Sequence, residues 1–316
     1  MREFAARMQS ARSIALYVVE LAYGDQPFEV TDASNPAHLQ LRGTDVMWHK
    51  ENMINLGTRL LPADWKAMAW IDADIEFENV FWAEQALCIL NGYKDVVQLF
   101  SHCLDMDIHE NTMAVYNSAG YQYETHGHIN GKNADYPHPG YAWAITRQAY
   151  ETMGGLFEVN IIGSSDTVML QAIMGTAERL VSPKAHPEYL QTIRDLQMKC
   201  SGLKFGYVPG VIRHYFHGSK KNRKYAERAQ ILLDYNYSPK DVARNDDGVL
   251  CFQQVNPAFQ KAMLQYFFDR NEDDGDTQEV KAVEKVPKKK SKTALKSFFV
   301  PERGVTTAFQ FALRFR

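Results

Sequence analysis

Cysteine is scarce in this chain, and so are long apolar runs and any excess of charge of one sign. Cys88, Cys103, Cys200 and Cys251 are scattered through 316 residues without a C-x-x-C pair. That excludes a zinc ribbon and a disulfide framework, and it suits a reducing compartment. The most apolar stretch near the start, Ile14 to Tyr23, contains Glu20 and is well short of the ~20 residues of a membrane span. No secretory segment precedes it, so the expected location is cytoplasmic. Thirty-five basic against 38 acidic residues give a formal charge of -3. The basic field of a nucleic-acid binder is missing, and no nucleic-acid partner is expected.

What remains is an ordinary globular composition, 45% hydrophobic and 23% charged, with an alternating period. Arg2 to Arg12 patterns as a helix, and Ile14 to Ala22 as a strand buried on both faces. A helix from about His49 to Leu60 is followed by the strand Lys66 to Ile71, the helix Phe81 to Leu90 and the strand Asp95 to Phe100. From Asp105 to Pro139 the period is lost, and a loop that long is usually functional. Tyr141 to Thr146 and Phe205 to His214 pattern as strands, and Arg147 to Met153, Asp166 to Ile173 and Tyr225 to Tyr235 as helices. Short connections between helices and strands predict an α/β fold with a doubly wound mixed sheet flanked by helices. The composition divides the chain into a domain at 1–268, a charged disordered linker at 269–297 and a short apolar-basic segment at 298–316. That last segment could be a small helix making weak contact with a membrane or protein, or could pack on its own domain.

The strongest chemical signal is Trp70-Ile71-Asp72-Ala73-Asp74. Two carboxylates one residue apart, just past a buried strand, sit where open α/β sheets bind ligands. They repel one another unless a cation lies between them, and carboxylate oxygens select hard ions such as Mn2+ or Mg2+, which also grip phosphate. His214 and His217 offer a further metal ligand, and an extended backbone would point their rings to opposite faces. The adjacent Lys220, Lys221 and Arg223 suit phosphate oxygens. Asp166 at a helix start reads equally as an N-cap and as a general base for an acceptor hydroxyl. Tyr141 and Trp143 offer aromatic faces for sugar stacking, although Trp143 within an apolar strand also reads as core. Glu158 follows Gly154-Gly155 as a polar group for an acceptor.

In this order the motifs resemble GT-A glycosyltransferases, distantly those of the β-1,4-galactosyltransferase type. The resemblance covers residues 10 to 235 and includes Trp48-His49-Lys50 followed by Ile54-Asn55-Leu56-Gly57. It implies a nucleotide-diphospho-sugar donor, a glycan or other hydroxyl acceptor, and inverting transfer. Trp48 and Lys50 would face the nucleotide and its phosphates. Asp74 would be the principal metal ligand with Asp72 close by, and His214 or His217 would complete the shell. The family's acidic cluster is reduced here to Gly163-Ser164-Ser165-Asp166. The resemblance also implies a nucleotide-binding strand ahead of the first helix. The chain opens in that helix, so the expectation is a sheet lacking its first nucleotide-binding strand and a weak grip on the donor. The same Asp and His residues would also serve a metal-dependent phosphoesterase or nuclease, or a non-catalytic carbohydrate-binding remnant.

Overall fold

The computed structural model describes residues 2–10, 13–129, 137–216, 224, 227–254, 256–270 and the backbone of 308–315. In chain order the elements are α1 (Arg2–Ser10), β1 (Ile14–Tyr23), β2 (His38–Gly43), α2 (Lys50–Gly57), β3 (Ala67–Ile71), β4 (Ile75–Phe77), α3 (Trp82–Leu90), β5 (Val96–Gln98), β6 (His102–Met106), β7 (Thr112–Ser118) and α4 (Ala119–His126). They continue with β8 (Pro137–His138), β9 (Ala142–Thr146), α5 (Arg147–Met153), α6 (Ser165–Ile173), α7 (Pro187–Cys200), β10 (Phe205–Tyr207), β11 (Val211–His214), α8 (Arg228–Asp234), β12 (Val242–Arg244), β13 (Leu250–Phe252), α9 (Pro257–Arg270) and β14 (Ala308–Phe315). The chain is mixed α/β. A seven-stranded sheet ordered β10-β5-β9-β3-β14-β1-β2 abuts a five-stranded one ordered β4-β11-β6-β7-β8, and β12 pairs with β13.

In the larger sheet β1, β2, β3, β5 and β10 run one way, and β9 and β14 run the other. Both faces are covered, and the strand period of two shows how. Met68, Trp70, Trp143 and Ile145 enter one cluster with side chains of α5, α6 and α7. Ala67, Ala69, Ile71, Ala142 and Ala144 enter the other with α1 and α3. Trp70 and Trp143 are register partners and their rings stack at 6.1 Å. Burying each contributes roughly 5 kcal/mol of gross transfer free energy. The buried Glu20 inside β1 is satisfied locally, because its carboxylate accepts the backbone N–H groups of Glu29, Val30 and Thr31.

Local chemistry sets the ends of the helices. Ser118 Oγ caps α4 and Thr146 Oγ1 caps α5, and each helix stops at a glycine in the left-handed region, Gly127 and Gly154. Gly120 in α4 packs directly on β10, since a Cβ there would lie 2.3 Å from Gly206 O.

The structure departs from the sequence expectations in three places. The aperiodic stretch contains β6, β7 and α4. The long strand expected at Phe205 to His214 is two strands in two sheets, parted at Pro209-Gly210. In the 298–316 segment, residues 308–315 are a strand between β1 and β3 rather than a helix. The expected linker at 269–297 lies outside the described residues apart from the end of α9, which runs to Arg270 and packs Phe259, Met263 and Tyr266 into the main core. Among the described residues no helix is long and apolar enough to cross a membrane. All four cysteines are free.

Candidate active site

Four direct strand-to-strand connections step between the large and the small sheet: after β3 at Asp72-Ala73-Asp74, after β5 at Leu99 to Ser101, after β8 at Pro139 to Tyr141, and after β10 at Val208 to Gly210. Backbone bonds tie these crossings into one seam. Asp72 N–H donates to Tyr141 O at 2.8 Å, Leu99 N–H to Ala142 O at 3.0 Å, and Val208 N–H to Gln98 O at 2.8 Å. The buried Gln98 adds two bonds, donating to His138 O and accepting from Gly120 N–H.

Register then assembles the chemistry. On β11, His214 pairs with Ile75 of β4 on one side and with Asp105 of β6 on the other. Asp74, one residue before Ile75, is thereby set against the same imidazole. His214 Nδ1 lies 2.7 Å from Asp105 Oδ1, and Nε2 lies 3.4 Å from Asp74 Oδ2. Burial alone would lower the imidazole pKa, but hydrogen bonds and charge from Asp105 and Asp74 outweigh it and raise the value to about 9. The two carboxylates thus favour the charged imidazole, and a carboxylate behind an imidazole is also the usual support of a metal-bound histidine.

Asp72, the other half of the motif, is engaged by Lys50 Nζ at the first turn of α2. Its carboxyl is pushed up by burial, with Lys50 pulling it down and Asp74 adding to the rise. Lys50 is held charged against its own burial by Asp72, Glu51 and Asp166. Glu51 is buried and raised to about 7 by that burial, with Lys50 opposing. Asp74, His214 and Asp72 fit a hard divalent ion by donor type. Among the described residues, however, no three such side chains already converge as a ready ligand set. Asp72, the third candidate, is engaged by Lys50.

Asp166 sits one residue inside α6, after Ser164, which has φ 74° and makes no side-chain cap. Asp166 is therefore not the N-cap that one reading expected, and its Oδ1 accepts from Thr167 N–H at 2.7 Å. Its Oδ2 faces the backbone of Gly140, where a Cβ would lie 2.8 Å away. Tyr141 next in the chain has φ 78°, a strain of roughly 1–3 kcal/mol held by the seam. Its ring stacks on His138 at 3.8 Å and leans on His214 at 4.6 Å. Asp72, Asp74, Asp105, Asp166, Lys50, Tyr141 and His214 thus share one edge.

The other expected site residues lie elsewhere or are otherwise engaged. Trp143 is 2% exposed between Trp70 and Phe205, and its indole N–H donates to Pro139 O. It is core, which corrects its expected place at the acceptor site. Trp48 donates to Glu51 and carries the Arg270 guanidinium over its ring at 4.8 Å. Glu158 is buried among Asn52, Asn55 and Arg244 at a separate polar cleft of about 340 Å3. There it braces α2 rather than joining the aspartates. Asn55 also clamps the backbone of Leu156 through both its amide groups. Gly57 lets α2 approach β1, because a Cβ there would touch Val19 at 2.7 Å. His217, Lys220 and Arg223 lie outside the described residues.

Sequence reasoning missed Asp105 and the Lys50–Asp72 pair. Asp105 is 109 positions from His214, and only the register of β6 against β11 joins them. No protein-family model, no curated protein and no solved structure matches the chain.

Proposed function

We propose that the protein is a metal-dependent glycosyltransferase of the GT-A type, moving a sugar from a nucleotide-diphospho-sugar to a hydroxyl acceptor with inversion. The observation that carries this reading is the placement of Asp74, His214 and Asp105 at the carboxyl end of β3, beside Lys50 and Asp166. Asp74 and His214 would hold Mn2+ or Mg2+, and Asp72 would join them once released by Lys50. The ion, when bound, neutralises the departing diphosphate. Asp105 fixes His214 with Nε2 turned to Asp74, where the two would hold the ion. Lys50 then has its ammonium available for phosphate oxygens. Asp166 accepts the proton of the acceptor hydroxyl, and Tyr141 offers a ring beside it.

What the fold lends to this reading is a mixed sheet covered by helices on both faces. A two-metal phosphoesterase would need further carboxylates placed for a second ion ~3.5–4 Å from the first.

The test is a panel of nucleotide sugars offered with Mn2+ and mixed glycan acceptors, with transfer and donor hydrolysis followed by mass spectrometry. Manganese-dependent transfer or hydrolysis by the native chain, lost in Asp74→Asn, is expected. Binding of glycans with no turnover of any donor would leave the carbohydrate-binding remnant. Release of phosphate from simple esters would indicate the phosphoesterase.

A further inference from the structure

Two strands of the large sheet, β1 and β3, run in the same direction and do not touch; β14 lies between them. Its eight residues pair antiparallel with Ile14 to Leu21, from Ile14↔Phe315 to Leu21↔Ala308. On the other side Ala312, Leu313 and Arg314 pair with Trp70, Ala69 and Met68. Without it, two strands would each present a row of unpaired N–H and C=O groups beside a buried apolar face, the condition that draws in a foreign strand. Its own sequence, AFQFALRF, alternates Phe or Leu with small or polar residues. Yet it is the last element of the chain, joined to α9 only through the 37 residues from 271 to 307.

We infer that the slot between β1 and β3 is a strand-binding site, whose ligand is an extended peptide adding antiparallel to both edges and whose resident occupant is the chain's own 308–315 segment, docked separably in cis. Every backbone bond that holds β14 is one an independent peptide could make, as in recognition by β-augmentation. The segment is covalently joined to the body through residues 271–307, and an intramolecular partner has the advantage over a second copy at micromolar protein.

The experiment uses the full chain with a rare-cutting protease site inserted between Gln278 and Lys288. After cleavage, the C-terminal fragment that carries 308–315 is expected to co-elute with the body at the mass of one copy. A labelled synthetic peptide of residues 304–316 should then replace it over hours. The same peptide with Ala312→Pro, which lacks an N–H at a position paired on both sides, should exchange at least tenfold less. In the uncut chain Ala312→Pro should speed hydrogen exchange of β1 and β3 amides while leaving β6, β7 and β11 protected. Immediate loss of the fragment with unchanged protection of β1 and β3 would overturn the inference. So would a fragment that never exchanges with peptide, which would make β14 a permanent part of the sheet. An uncut chain eluting as a dimer that cleavage converts to monomers would show that the strand is supplied by a second copy, and would overturn docking in cis.

Discussion

Asp105 Oδ1 lies 2.7 Å from His214 Nδ1, in the interior of the small sheet, with the two residues facing one another across a parallel register of β6 and β11. The bond fixes which nitrogen the imidazole turns toward Asp74. Without Asp105 the ring could rotate or change tautomer, and Nε2 would lose its aim.

Asp105→Asn keeps the volume and removes the charge. Loss of an outer carboxylate that orients a ligating histidine weakens metal binding by roughly 10- to 100-fold. Calorimetric titration with Mn2+ should show that weakening, with far-ultraviolet circular dichroism unchanged. Unaltered Mn2+ affinity would remove Asp105 from the site.

Lys50 is the internal cation of a cluster that holds Asp72, Glu51 and Asp166. Lys50→Met leaves those charges without it, and a lost partner at a partly buried pair costs on the order of 1–3 kcal/mol. The variant should melt lower than the native chain in chelator. It should also regain more in saturating Mn2+ than the native chain gains, because the ion no longer displaces an ammonium from Asp72. Equal gains in both proteins would show that Lys50 and the ion do not compete.

His49 supplies a pH signature of stability that lies apart from the metal ligands. It is 3% exposed, and its Nε2–H donates to Asp45 O at 3.0 Å. Burial lowers its pKa from 6.5 to about 4, while the Asp45 carbonyl and charge work the other way. The unfolded chain therefore binds the proton more readily than the native chain between those values. Its contribution is complete above about pH 6.5 and is lost as the pH falls toward 4, up to roughly 3 kcal/mol. Denaturant unfolding at a series of pH values should show a shallower acid loss for His49→Gln than for the native chain. Parallel curves would refute the assignment.

The two-sided burial of the large sheet was legible in β1, where Ile14 to Ala22 is a nearly continuous apolar, β-branched run. The Asp-x-Asp step and its association with a later histidine were legible for the same reason, a charged pair ending an apolar run. What escaped was long-range register. β6 and β7 carry mixed polar faces, so neither period of two nor period of 3.6 marks them out from a loop. Ser164 and Asp166 show the limit of capping rules: Ser164 at the N-cap position makes no side-chain cap, while Asp166, two residues on, accepts the first-turn N–H of Thr167. The alternation of Phe309 to Phe315 is visible once its partners are known, but eight residues far from other apolar segments name no neighbour.

Two glycines test the fold and the site separately through the same substitution. Gly120→Ala would set a methyl 2.3 Å from Gly206 O and 2.8 Å from Gly206 C, which are backbone atoms that can move only with α4 or β10. Overpacking of that kind costs on the order of 3 kcal/mol. It should appear as a lower denaturant midpoint with residual activity per folded molecule preserved. Gly140→Ala meets the tip of a side chain, Asp166 Oδ2 at 2.8 Å, and the edge of the His138 ring at 3.2 Å. A carboxylate can swing aside, so stability should change by about 1 kcal/mol or less. A general base moved by about 1 Å loses around 100-fold in rate, so transfer should collapse while Mn2+ affinity holds. If Gly140→Ala retained full transfer activity, Asp166 would not be the base, and the proton would have to leave by another group of the seam.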